Sequence, residues 1–257
     1  MARKDTNQRT VKTAETVVDI IETLSELEQA SLTMLADALN MPRSTLHAYL
    51  STLVQCEILV KEGCEYRLGT KFFSHGAQVR RMNPMYQESK QFLQQIADQT
   101  QEIAWLVVEE YGQGVCLRKV KGEFAVQPYK ELGSRISLHN TAAGKAILSR
   151  LPPERTREIV DRYGLPKETK HTITNSDTLF EELETVREDG VAFNDEESML
   201  GFRAVASPVS APDGQTAALV ASGPKNRLQG EKFSKTVPGI VSGAANALEL
   251  KLSASST

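Results

Sequence analysis

The chain has 257 residues, 40% apolar and 25% charged, which fits two soluble globular domains and excludes a long disordered chain. Its apolar runs, such as Ala217–Ala221, are far shorter than a membrane span, and no basic-then-apolar leader opens it, so a cytoplasmic protein without a membrane partner is expected. Cys56, Cys64 and Cys116 are an odd number without metal-ligand spacing, which suits a reducing compartment. The formal net charge of −3 taken alone argues against a nucleic-acid partner.

Residues 1–12 read as a basic arm, with Arg3, Lys4, Arg9 and Lys12 against Asp5. From Val11 apolar residues recur at helical steps (Ala14, Val17, Val18, Ile21, Leu24, Leu27), with Glu15, Asp19, Glu22 and Glu26 on the other face. A short helix after Ser31, with Thr33 as its expected N-cap, buries Leu32, Leu35, Ala36 and Leu39. Asn40-Met41-Pro42 then reads as a helix stop and restart. A third helix over about 42–56 carries the stripe Leu46, Leu50, Leu53 and Val54. Ile58–Val60, a turn at Glu62-Gly63 and Cys64–Leu68 predict a β-hairpin. Three short helices closed by a hairpin describe a winged helix-turn-helix over residues 1–80.

Asn83-Pro84 marks a break, and the amphipathic stretch from Met85 to Thr100 predicts a linker helix at 81–100. Residues 101–257 read as an α+β domain with an antiparallel sheet and helices packed on it. Strands are predicted at 103–109, 114–120, 124–129, 191–194, 203–210 and 215–222. Helices are predicted at 141–150, 153–163, 176–189 (with Ser176 as N-cap) and about 231–252, where Pro238-Gly239 implies a kink or a late start.

In a helix-turn-helix the second helix of the pair enters the major groove. Opposite the leucine stripe lie Ser44, Ala48 and Ser51, flanked by Thr45, His47 and Thr52, with Arg43 in the first turn. Residues 1–80 hold nine Lys/Arg and ten Asp/Glu, a net of −1, yet no acid falls between Ala38 and Cys56. Local field rather than the domain total governs phosphate contact, so double-stranded DNA is the favoured partner. One such unit grips weakly, which implies a dimer. A scaffold for protein contacts remains the alternative for this half.

The stretch from Thr10 to Gly69 resembles the DNA-binding domain of the IclR-type transcriptional regulators. ELGSRISLHNTAAGKAILSRLPPE, DGVAFNDEESMLGFRAVASPVSAPDG and LVASGP resemble the same family's second half, so the likeness covers nearly the whole chain in order. It implies a winged helix-turn-helix, a linker helix and a GAF- or profilin-like effector domain, assembled as a dimer or tetramer. It also implies operator binding controlled by a small metabolite. On its pattern, DNA contact falls on Arg43, Ser44, Thr45 and His47, with Lys61 in the wing (Lys61–Arg67) on the backbone; the charge reading adds Arg9 and Lys12 of the arm. Ala48 stands where the family usually has arginine. The effector pocket would be lined by Ile136, Leu138, Ala142, Ala143, Gly144, Asn194, Phe202, Ala204 and Ser222, and Asn194 often has an aspartate as its family counterpart.

The residues carry part of this without the family. Small side chains at Thr141-Ala142-Ala143-Gly144 open a helix whose backbone N–H groups favour an anion, with Lys145 or Arg135 as possible added charge. Plain close packing reads the same residues equally well. Enzyme chemistry is poorly served: the four histidines are dispersed, no cofactor or metal motif occurs, and His139 with Thr141 and Glu197 is the best constellation available. The competing classes are a small-molecule enzyme with an accessory winged helix and a protein-interaction module.

Overall fold

The computed structural model describes residues 10–126 and 130–255, which divide into two compact units, one ending at Met82 and the other starting at Asn83. Arg3, Lys4 and Arg9 of the expected basic arm lie outside the described residues, as do positions 127–129, whereas Lys12 is described.

The first unit runs α1 (Lys12–Leu27), β1 (Gln29–Ser31), α2 (Leu32–Ala38), α3 (Arg43–Gln55), β2 (Leu59–Glu62), β3 (Glu65–Leu68) and α4 (Lys71–Met82). Its core is Ile20, Leu24, Leu35, Leu46, Leu50, Leu53, Leu59 and Tyr66, all buried. On α1 the inward stripe is Thr16, Ile20 and Leu24, so Val18 and Leu27, expected inside, stay exposed. The hairpin gains a third strand that was not predicted: β1 pairs with β3 through Ala30↔Tyr66. Three residues between two helices carry too little alternation to announce a strand. Ser31, not Thr33, caps α2, its Oγ accepting from Met34 N at 3.3 Å, because the chain is still extended at Ser31 and already helical at Thr33. Asn40 takes φ +48°, the left-handed stop its side chain tolerates.

The second unit contains α5 (Pro84–Glu88), α6 (Lys90–Thr100), β4 (Ile103–Glu110), β5 (Gln113–Lys121), β6 (Arg135–Ile136), α7 (Ala142–Arg150), α8 (Pro153–Tyr163), α9 (Ser176–Asp189), β7 (Ala192–Asp195), β8 (Phe202–Ser210), β9 (Thr216–Pro224) and, after one π-helical turn at Lys232–Thr236, α10 (Val237–Ser255). Its six strands form one antiparallel sheet in the order β6-β5-β4-β9-β8-β7. Alternation on β4 builds three layers. Ile103, Trp105 and Val107 face a core shared with α7, α8 and α9. Ala104, Leu106 and Val108 face one shared with α6 and α10.

Three expectations are corrected here. The span 81–100 does not hold a free linker helix: Met85, Phe92, Leu93, Ile96 and Ala97 belong to the second unit's core, while α4 buries no residue. The amphipathic face of Met85–Thr100 is a packing face against the sheet. No strand forms at Phe124–Val126, where both side chains are exposed; the edge strand is instead the two-residue β6. The cap of α9 is Asn175, whose Oδ1 accepts from Thr178 N at 3.0 Å, rather than Ser176. The late start expected near Pro238 is present, with α10 beginning at Val237.

Candidate functional site

In the first unit, α3 is amphipathic. Leu46, Leu50 and Leu53 anchor it, and Arg43, Ser44, Thr45, His47, Ala48 and Thr52 are exposed along the opposite face, with Ser51 half-buried between them. Pro42 supplies no capping side chain, so the first-turn N–H groups stay open at the positive end of the helix. His47 Nδ1 lies 3.5 Å from Ser51 Oγ, and Thr52 Oγ1 donates back to Ala48 O at 2.9 Å. His47 and Arg43 are therefore the long donors of this face. Lys12 is exposed at the start of α1, and Lys61 is exposed on the hairpin with its ammonium 5.4 Å from the Tyr66 ring centroid. Arg67, also on the wing, is committed to Glu62.

The second unit brings seven of the nine expected effector residues around one cavity: Ile136, Ala142, Ala143, Asn194, Phe202, Ala204 and Ser222. It encloses about 610 Å³ of space not filled by atoms, its open mouth included. Trp105, Val107, Cys116, Lys130, Thr141, Ser198, Arg203 and Val220 complete the lining; of these the sequence singles out only Thr141, in the small-residue opening of the helix. Strand alternation could have supplied Trp105 and Val107 once β4 was known to be central, but nothing in the sequence marks which face carries the cavity.

Leu138 and Gly144 are not part of it. Gly144 N donates to the capping Thr141 Oγ1 at 3.1 Å, and a Cβ on Gly144 would sit 2.2 Å from both Cα and O of Leu138. That glycine lets the Leu138 backbone pass against the first turn of α7. Ala142 and Ala143, the first two residues of α7, line the cavity, and their N–H groups have no acceptor within the helix.

The polar groups are more committed than the sequence suggested. Trp105 Nε1 donates to Ser222 Oγ at 3.0 Å. Asn194 Oδ1 accepts from Glu197 N at 2.9 Å and its Nδ2 donates to Ser198 Oγ at 2.7 Å, so this amide shapes the 194–198 loop. Arg203 grips Asp195 through Nε and Nη2 at 2.6 and 2.9 Å, which offsets its charge. Lys145 and Arg135 do not serve the cavity. Lys145 is buried and bonds Glu197 at 2.7 Å and Glu182 at 2.9 Å; Arg135 pairs with Glu110 at 2.8 Å. Burial pushes the Glu197 carboxyl above its usual range despite Lys145. Burial likewise raises the Cys116 thiol, which makes it a poor nucleophile.

The catalytic constellation does not assemble. His139 Nε2 lies 3.1 Å from Pro166 O, Thr141 caps α7, and Glu197 is bound to Lys145. Burial lowers the His139 pKa, keeping the ring neutral. Among the described residues, no group of three or more His, Cys, Asp or Glu is placed to hold a metal ion, and no helix is long and apolar enough to cross a membrane.

Comparison with known proteins matches both halves. A sequence profile described as the IclR helix-turn-helix domain covers residues 13–63, and one described as bacterial transcriptional regulator IclR C-terminal covers 77–250. The probable HTH-type transcriptional regulator ArcR of Halobacterium salinarum is 32% identical over 249 residues, 95% of each protein. The crystal structure of Thermotoga maritima IclR superposes with a TM-score of 0.77 at 26% identity, over 94% of this chain and 98% of that one. A double mutant of the Acinetobacter PobR inducer-binding domain, solved with 3-hydroxybenzoic acid, superposes with a TM-score of 0.58 at 32% identity, over 63% of this chain and 95% of that domain. The chain belongs to the IclR family of bacterial transcriptional regulators, joining a DNA-binding helix-turn-helix to a ligand-binding C-terminal domain, and is not an enzyme.

Proposed function

We propose that the unit ending at Met82 binds an operator and that the unit from Asn83 senses a small organic acid that changes operator affinity. The cavity under α7 carries the reading: a largely apolar slot with Trp105, Phe202 and Val220 in its wall, bounded by the first turn of α7 at Ala142 and Ala143 and by Lys130. A flat or short apolar body with one carboxylate fits that chemistry. The 3-hydroxybenzoic acid bound by the PobR domain is of this class. Arg43, Ser44, Thr45 and His47 read and position DNA from α3, with Ala48, Ser51 and Thr52 close to the groove. Lys12 and Lys61 add backbone contacts, as does Arg9, which lies outside the described residues.

The grip of one copy is thin, so the protein acts as a dimer or tetramer in the cytoplasm. Exposed Val11 and Val18 on and before α1, and Phe73, Val79 and Met82 on α4, support pairing with a second copy.

A mobility shift with the DNA upstream of the protein's own coding region tests both parts. Arg43→Ala and His47→Ala are each expected to weaken specific binding by about tenfold, within the 1–3 kcal/mol of a lost base contact, with strong salt dependence. Ala143→Trp is expected to abolish the response to 3-hydroxybenzoate while leaving DNA binding intact. Unchanged operator affinity in both α3 variants would refute the helix assignment, and an intact response in Ala143→Trp would refute the pocket.

A further inference from the structure

The second unit holds another cavity, on the far side of the same wall. It spans about 620 Å³, mouth included, and is lined chiefly by Leu138, His139, Leu148, Val160, Tyr163 and Pro166. No charged side chain lines it, in contrast to the first cavity with Lys130 and Arg203. Its polar groups are uneven in what they offer. The Tyr163 hydroxyl commits its proton to Tyr111 O at 2.7 Å and keeps only acceptor capacity. His139, 5% exposed, points Nε2 at Pro166 O at 3.1 Å. A carbonyl only accepts, so Nε2 carries the ring proton and Nδ1 is left as an acceptor. Gln113 and Ser137 add polar groups to the wall, so a cavity with mixed walls, no ionised side chain and the His139 ring as an acceptor suits a small neutral molecule that brings a hydrogen-bond donor.

The wall between the two cavities is one short segment. Ile136 and Thr141–Ala143 line the first, and Ser137–His139 line the second. Gly144 presses on the Leu138 backbone closely enough that no side-chain atom fits between them. A displacement of Leu138 is therefore passed to the first turn of α7, where Ala142 and Ala143 face the first cavity.

We infer that this second cavity is a binding site for a small neutral molecule with an apolar body and one hydroxyl group, which donates a hydrogen bond to His139 Nδ1 and shifts α7 through Leu138. The binding itself stands apart from the organic-acid reading of the first cavity; the regulatory consequence rests on it.

Phenol is the probe, titrated calorimetrically into the full-length protein. Saturable binding is expected in the wild type and in Ala143→Trp, which fills the first cavity. At least a tenfold loss is expected in Val160→Trp, which fills the second. His139→Ala keeps the space and removes the acceptor, and is expected to weaken binding about fivefold; it decides the matter if Val160→Trp fails to fold. Absence of saturable binding, loss in Ala143→Trp alone, or full affinity in His139→Ala would overturn the assignment. The methyl resonances of Ala142 and Ala143 are expected to move as phenol binds; if they stay still, the coupling is overturned whatever ligand the first cavity takes.

Discussion

Gly144 is a position where the second unit has no slack, and Gly144→Ala tests that directly. The added Cβ would lie 2.2 Å from Leu138 Cα and O and 2.5 Å from its carbonyl carbon. Non-bonded carbon atoms settle at roughly 3.5 Å or more, so helix and strand-side backbone must part by about 1.3 Å. Neither side yields easily. Ala146, Ile147 and Leu148 of α7 are fully buried, and Lys145 is held by two carboxylates. All the atoms met are backbone, which places the cost at the upper end of overpacking penalties, about 3 kcal/mol. For a unit of this size that corresponds to roughly 6–12 °C in melting midpoint. Trp105 is the single tryptophan of the chain and lies in the second unit, so a fluorescence melt reports on that unit alone. Gly239→Ala, where a Cβ meets nothing within 4 Å, is the control and should leave the midpoint unchanged or raised. A Gly144→Ala midpoint within about 1 °C of wild type would refute the close-contact argument, since a fall of only ~0.3 kcal/mol cannot accommodate it.

Two other perturbations follow from buried charge. Lys145→Met removes the cation that faces Glu197 and Glu182 and is expected to cost about 3 kcal/mol at pH 8 by urea denaturation. The loss should shrink as the pH falls, because the Glu197 carboxyl, pushed up by burial, takes up its proton sooner than an ordinary carboxylate; a loss independent of pH would contradict this. His139 titrates below its ordinary 6.5 because burial disfavours the imidazolium. Between 6.5 and that lower value the unfolded chain binds more protons than the folded one, so stability falls as pH drops through this window. His139→Gln should flatten that part of the melting-temperature profile, and a slope identical to wild type would assign the effect elsewhere.

Much of the organisation is legible locally. The leucine stripe of α3, the Asn40 stop and the uncapped, acid-free start at Arg43 are readable because a helix face and its ends are set by residues three or four apart. The motif around Thr141–Lys145 likewise announces a helix opening with small side chains. Errors arose where neighbours distant in the chain decide. The apolar face of Met85–Thr100 says only that the helix packs, and the sheet beneath it makes it part of the second unit's core. Lys145 looks like an available cation in the sequence, and its position one turn into α7 buries it against Glu182 and Glu197, 37 and 52 residues away. Leu138 and Gly144 belong to the motif and to the wall yet not to the first cavity. Which side of the wall over residues 136–143 meets a hollow depends on how α7, α8 and β4 pack around it. Periodicity along one chain thus determines most helices and strands, and its motifs carry the family likeness, whereas the three-dimensional packing decides which polar groups remain for a ligand, because burial and partners are properties of contacts between segments.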